Sequence, residues 1–127
     1  MSSQMKIRGE VDFLRKLYDE LIRRDHFLIE WEPADSNVDL LVRDPVSGKM
    51  VAIEMKNAGD YGELPISTII PISKLARQTD KYAKVMLITF SGLPLLLSDK
   101  LKELNVDALT QPTVSQVVEK VQLALSA

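Results

Sequence analysis

Two stretches, Ser36-Asn37-Val38-Asp39-Leu40-Leu41-Val42-Arg43 and Met50-Val51-Ala52-Ile53-Glu54-Met55-Lys56-Asn57, decide how this chain folds. Both are rich in Val, Ile and Leu, and Pro45-Val46-Ser47-Gly48 between them is turn chemistry, so the pair is expected to form a β-hairpin. Side chains alternate between the two faces of a strand. Val38, Leu40 and Val42 therefore share one face, and Val51, Ile53 and Met55 form the matching apolar set on the second strand. Matching apolar to apolar pairs Arg43 with Met50 across the turn, which sets Asp39 directly opposite Glu54. Two carboxylates facing each other at about 5 Å repel by roughly 3 kcal/mol at an effective dielectric near 20. Something positive is expected between them.

Lys56, one side-chain step beyond Glu54 on the same face, meets part of that need, and a hard divalent cation meets more of it. Mg²⁺ binds through one or two carboxylates, keeps several waters and takes phosphate oxygens of a substrate. The backbone carbonyl of Met55 would lie within reach of such an ion. A lysine beside a metal can orient or deprotonate a water that attacks phosphorus, while the ion stabilises the charge developing on the phosphate. The chemistry suited to this trio is phosphodiester hydrolysis. The alternative is a solvated sheet face on which Lys56 bridges two acids, an arrangement worth little in stability.

Asp39 followed by Glu54-Met55-Lys56 resembles the active-site motif of the PD-(D/E)XK nuclease superfamily, with Val38 standing where the family name has proline. The resemblance implies Mg²⁺ or Mn²⁺ held by Asp39 and Glu54, and Lys56 assisting the attacking water. It also implies a restriction-endonuclease-like α/β core of three layers, with a mixed central sheet flanked by helices. DNA is the implied substrate. Archaeal Holliday-junction resolvases and Mrr-like domains look most similar.

Hydrophobic periodicity along the chain is consistent with that core. Val11, Leu14, Leu17, Tyr18, Leu21 and Ile22 recur at helical spacing between Arg8 and Arg24. A short strand is expected over His26 to Trp31, then a loop at 32–36, then the hairpin. An irregular connection containing Gly62, Pro65 and Pro71 leads to a helix over Ile72 to Tyr82. A buried strand follows at Ala83 to Phe90, a helix at Leu93 to Leu104, a short strand at Val106 to Leu109 and a helix at Val114 to Leu125 that starts after Pro112-Thr113. The expected order is αβββαβαβα, covering roughly Arg8 to Leu125.

Two further positions extend the resemblance. Many family members carry a glutamate on the first helix that reaches the metal. At about 100° per residue, Glu10 falls on the same stripe as Leu14, Leu17 and Leu21, whereas Asp12 and Asp19 point away. A carboxylate in a first helical turn is also favoured by the helix dipole alone. Gln78-Thr79-Asp80-Lys81-Tyr82 looks like the Gln-x-x-x-Tyr element of RecB-like nucleases, in which Gln78 could orient Lys56 or a phosphate and Tyr82 could stack nearby. A boundary glutamine and a packed tyrosine are the plainer reading of both.

Bulk properties bound these readings. At 127 residues with 46% hydrophobic content, the chain is expected to be one domain with a substantial core. It has 16 Lys plus Arg against 18 Asp plus Glu, a net charge of −2, which argues against a broad nucleic-acid-binding surface. Lys6, Arg8, Arg15, Lys16, Arg23, Arg24, Lys74, Arg77, Lys81 and Lys84 could still form a local basic rim for phosphates. Cysteine is absent, which excludes thiolate chemistry and fits a reducing cytoplasm. A lone histidine, His26, excludes His-rich metal sites. The apolar run Leu93 to Leu97 is too short to span a bilayer, and a cytoplasmic protein with no membrane association is expected. A core this small covers little DNA, so a homodimer presenting two sites is the expected working form. The competing function is a catalytically inactive module of the same fold that binds nucleic acid or protein.

Overall fold

The computed structural model describes residues 8–25, 27–31 and 38–126. Lys6, the Arg8 side chain, His26 and the expected loop at 32–36 lie outside the described residues. The described chain forms α1 (Arg8–Asp25), β1 (Leu28–Trp31), β2 (Leu40–Arg43), β3 (Met50–Met55), α2 (Ile69–Ala76), β4 (Lys84–Thr89), α3 (Leu95–Glu103), β5 (Asp107–Thr110) and α4 (Val114–Ser126). Two short 3-10 turns, Gly59–Tyr61 and Ile66–Thr68, lie between β3 and α2.

The five strands make one mixed sheet in the order β1-β2-β3-β4-β5. β1, β2 and β3 are antiparallel neighbours, whereas β3, β4 and β5 run parallel. The hairpin has the register that its polarity requires, with Arg43 opposite Met50, Leu41 opposite Ala52 and Leu40 opposite Ile53. Asp44 organises the turn: its carboxylate accepts from the Val46 amide at 2.9 Å and the Ser47 hydroxyl at 3.1 Å, and its carbonyl accepts from Gly48 N–H at 2.8 Å. Gly48 adopts φ 78°, where a side chain would be strained.

Helices cover both faces of the sheet. Leu40, Val42, Val51, Ile53, Met55, Met86 and Ile88 pack with Leu14, Leu17 and Leu21 of α1 and Val117, Val118, Val121 and Leu125 of α4. The opposite face buries Leu41, Ala52, Val85 and Leu87 against Ile72 and Leu75 of α2 and Leu97 and Leu101 of α3. Val38, expected beside Leu40 and Val42, packs on this opposite side instead, because the chain bends at Asp39 and strand alternation begins only at Leu40. Strands buried on both faces read as near-continuous apolar runs, which is why Val85-Met86-Leu87-Ile88 shows no alternation.

Local signals fix the helix ends. Thr113 and Gln116 form a reciprocal capping box at the start of α4, with Gln116 N–H donating to Thr113 Oγ1 at 3.1 Å and Thr113 N–H to Gln116 Oε1 at 2.8 Å. After α3, Asn105 takes a left-handed φ of 59°, and Val106 N–H closes on the Leu101 carbonyl at 2.9 Å, a Schellman ending with Asn in place of glycine.

One helix departs from the sequence expectation. α2 spans Ile69–Ala76 rather than Ile72 to Tyr82. Pro71 sits in its first turn, where the missing N–H has no helical partner to lose, so the proline belongs to the helix instead of preceding it. The chain then turns at Gln78, whose carbonyl accepts from both Lys81 and Tyr82 N–H at 3.0 Å.

Candidate active site

Asp39 lies in the bend immediately before β2, and Glu54 follows Ile53, the β3 partner of Leu40. Alternation along β3 puts the Glu54 side chain on the face of Ala52. Asp39 is 8% exposed and Glu54 6% exposed, so both acids are buried. Backbone contacts lock Asp39 in place: its N–H donates to the Ile53 carbonyl at 3.0 Å, and its Oδ2 accepts from Met55 N–H at 2.8 Å. A carboxylate gripped by a backbone amide forms the stronger, charge-assisted kind of hydrogen bond.

Lys56 stands where the alternation puts it, two residues beyond Glu54. Its Nζ lies 3.8 Å from Glu54 Oε2, and its side chain is 40% exposed while that of Glu54 is 7% exposed. The ammonium thus reaches from solvent to a buried acid. Its N–H donates to the Ile88 carbonyl at 3.0 Å, which carries the β3–β4 pairing past the formal end of β3.

Side chains continue that pairing beyond Lys56. Asn57 Oδ1 accepts from Phe90 N–H at 2.6 Å and from Thr89 Oγ1 at 3.3 Å, and Ala58 N–H donates to the buried Ser91 hydroxyl at 2.7 Å. Asn57 Nδ2 donates to the carboxylate of Glu10, which is 7% exposed and projects inward from the first turn of α1. Lys56 is therefore followed by residues fixed to both β4 and α1. Next to this junction, Phe13 of α1 meets Phe90 edge-on, with ring centroids 5.3 Å apart.

The structure brings Asp39, Glu54, Met55 and Lys56 together at the carboxyl end of β3, with Glu10 tied to the same strand end through Asn57. The expected placement of Gln78 and Tyr82 on one helix face is corrected. α2 ends at Ala76, and Gln78 is exposed, its Nε2 donating to the Lys74 carbonyl at 3.3 Å. Ala83 N–H donates to the Met50 carbonyl, so the turn containing Gln78 adjoins the beginning of β3. Six residues of strand, about 20 Å at 3.3 Å per residue, separate that end from Lys56. Tyr82 is buried beneath α2 and α3.

Among the described residues, no group of three or more His, Asp or Glu side chains is placed to hold a metal ion. Asp39 and Glu54 are the buried carboxylates near the carboxyl end of β3, oxygen donors of the kind Mg²⁺ takes from protein. Asn57 is the residue that sequence reasoning missed. Its partners come from distant parts of the chain, and no local pattern marks a polar residue after a strand as a junction.

The described fold is similar to the crystal structure of a repair endonuclease from Pyrococcus abyssi, with a TM-score of 0.52 and 16% identity over 87% of this chain and 49% of that one. The likeness is one of fold. The chain spans about half the length of that endonuclease. No protein-family model matches the chain, and no curated protein matches it. No described helix is long and apolar enough to cross a membrane.

Proposed function

We propose that this chain is a restriction-endonuclease-like domain of three layers and a metal-dependent nuclease that hydrolyses phosphodiester bonds in DNA. The observation that carries this reading is the burial of Asp39, bonded to the Met55 amide, and of Glu54 at the end of β3, with the Lys56 ammonium 3.8 Å from Glu54. Two acids are not expected to be buried near one strand end for stability alone, because burial desolvates each of them. Their placement suits a function that needs both.

Asp39, Glu54 and the Met55 carbonyl would hold Mg²⁺ or Mn²⁺. The ion, when bound, supplies charge stabilisation for the phosphate and acidifies water. Asp39 is held for this task by the Met55 amide, which fixes the direction of its carboxylate. Lys56 presents N–H donors at the solvent side of the pair, where they orient a water toward phosphorus and hold a phosphate oxygen. Its partial exposure leaves the strand end open to a polymer substrate. The similarity in fold to a repair endonuclease supports DNA as that polymer. A homodimer would present two such sites to two strands.

The test is cleavage of linear, single-stranded, flapped and four-way-branched DNA, beside RNA, with Mg²⁺ or Mn²⁺. Metal-dependent cleavage by the wild type and its loss in both Lys56→Ala and Asp39→Ala are expected. Removing a positioned proton-transfer or water-orienting group lowers turnover by about 10²–10⁴-fold. Cleavage that survives in both variants, or a wild type that neither binds metal nor cuts, would defeat the proposal.

A further inference from the structure

Glu10 lies on the inner stripe of α1, and its carboxylate accepts a hydrogen bond from the Asn57 amide group. Asn57 has one oxygen and one NH₂ group, and its environment dictates which way they point. Phe90 N–H can only donate, so the oxygen must face it. The NH₂ group is then turned toward α1, where Glu10 supplies the acceptor. Thr89 Oγ1 donates to the same Asn57 oxygen and itself accepts from Ser91 N–H at 3.0 Å. Three consecutive residues after β3 are thereby fixed to β4 and the loop behind it: Lys56 through Ile88, Asn57 through Phe90 and Ala58 through Ser91.

We propose that Glu10 and Asn57 form a clasp that positions Lys56, with Glu10 acting as a hydrogen-bond acceptor for Asn57 and not as a ligand of the metal. This inference rests on the nuclease reading for what Lys56 does, whereas the clasp itself is a property of the metal-free protein. What Asn57 takes from Glu10 is an acceptor oxygen, which an amide supplies as well as a carboxylate. Glutamine at position 10 satisfies that requirement and alanine does not. The requirement is also reciprocal: with aspartate at position 57, the partner at position 10 must become a donor.

These properties separate the clasp from a ligand role. Glu10→Gln is expected to keep most of the cleavage activity with an unchanged Mg²⁺ titration midpoint. Glu10→Ala and Asn57→Ala are expected to lower kcat by roughly 10- to 100-fold, the usual range for groups that orient a reacting residue, with KM for DNA and the Mg²⁺ midpoint unchanged. Asn57→Asp is expected to be defective and to be rescued by adding Glu10→Gln, which restores a donor facing an acceptor. Hydrogen exchange of the Phe90 amide in metal-free protein provides a readout independent of activity. Its protection is expected to fall in Glu10→Ala and to persist in Glu10→Gln.

A Glu10→Gln variant as impaired as Glu10→Ala, with a raised Mg²⁺ requirement, would make Glu10 a metal ligand and overturn the inference. So would Phe90 protection that ignores Glu10→Ala. If the wild type does not cleave, or Lys56→Ala cleaves as well as the wild type, the nuclease reading fails. The exchange measurement and the Asn57→Asp rescue of Phe90 protection still decide the clasp in that case.

Discussion

Replacing Asp39 by asparagine should make the metal-free protein more stable while disabling its site. Asp39, in the bend before β2 with its N–H on the Ile53 carbonyl, and Glu54, the next residue of β3, are both buried. Two carboxylates about 5 Å apart repel by about 3 kcal/mol at an effective dielectric of 20, which sets the upper bound for this pair. Lys56, 3.8 Å from Glu54, already offsets part of this. Asparagine keeps an acceptor for Met55 N–H but loses the charge assistance of that hydrogen bond, a loss of about 1 kcal/mol. The net gain is about 1–2 kcal/mol, or roughly 4–8 °C in Tm for a domain of this size. Thermal unfolding followed by circular dichroism, in chelator and again in saturating Mg²⁺, measures both halves of the prediction. In chelator, Asp39→Asn should melt above the wild type. A ligand at 100 times its Kd adds about 2.7 kcal/mol to the state that binds it, so Mg²⁺ should raise the wild-type Tm and leave the variant where it was. An Asp39→Asn protein that melts at or below the wild type in chelator, and that gains as much from Mg²⁺, would refute the reasoning.

Three further outcomes can be checked with the same spectroscopy or the cleavage assay. The Arg23 and Arg24 side chains hold the Glu20 carboxyl below its ordinary value of 4.5, and the Val46 amide holds that of Asp44 below 3.8. A carboxyl lowered by folding stabilises above its ordinary value and stops doing so as pH falls through the lowered one, so Glu20→Gln plus Asp44→Asn should lower Tm at neutral pH by an amount that vanishes on acidification below pH 3.8. Thr113→Ala removes the cap of α4 and should destabilise by about 1 kcal/mol in urea unfolding, whereas Thr113→Ser should not. Gln78→Ala should leave cleavage unaltered, because Gln78 lies at the opposite end of β3 from Lys56.

The hairpin was legible in the sequence because strict alternation penalises every other register. A slip of one residue would turn Val51, Ile53 and Met55 toward the face of Asp39 and Glu54. The inward direction of Glu10 was legible for a similar reason, since it shares a stripe with Leu14, Leu17 and Leu21. The position of Gln78 was not. Motif spacing suggested a helix reaching the site, but a crossover between parallel strands must return to the start of the next strand, which delivers the end of α2 away from Lys56. Pro71 looked like a boundary because proline ends helices in their interiors, whereas in a first turn it begins them. Asn57 carried no local signal at all. It matters through an acceptor 47 residues earlier in the chain and a donor 33 residues later, and only the tertiary fold brings them together.

The most direct test of the central claim is anomalous diffraction from crystals of this protein soaked in Mn²⁺. A single peak within coordination distance of one carboxylate oxygen of Asp39 and one of Glu54 is expected, and it should be absent from Asp39→Asn crystals treated alike. Density lying elsewhere, or carboxylates that point away from one another with no ion between them, would contradict the claim.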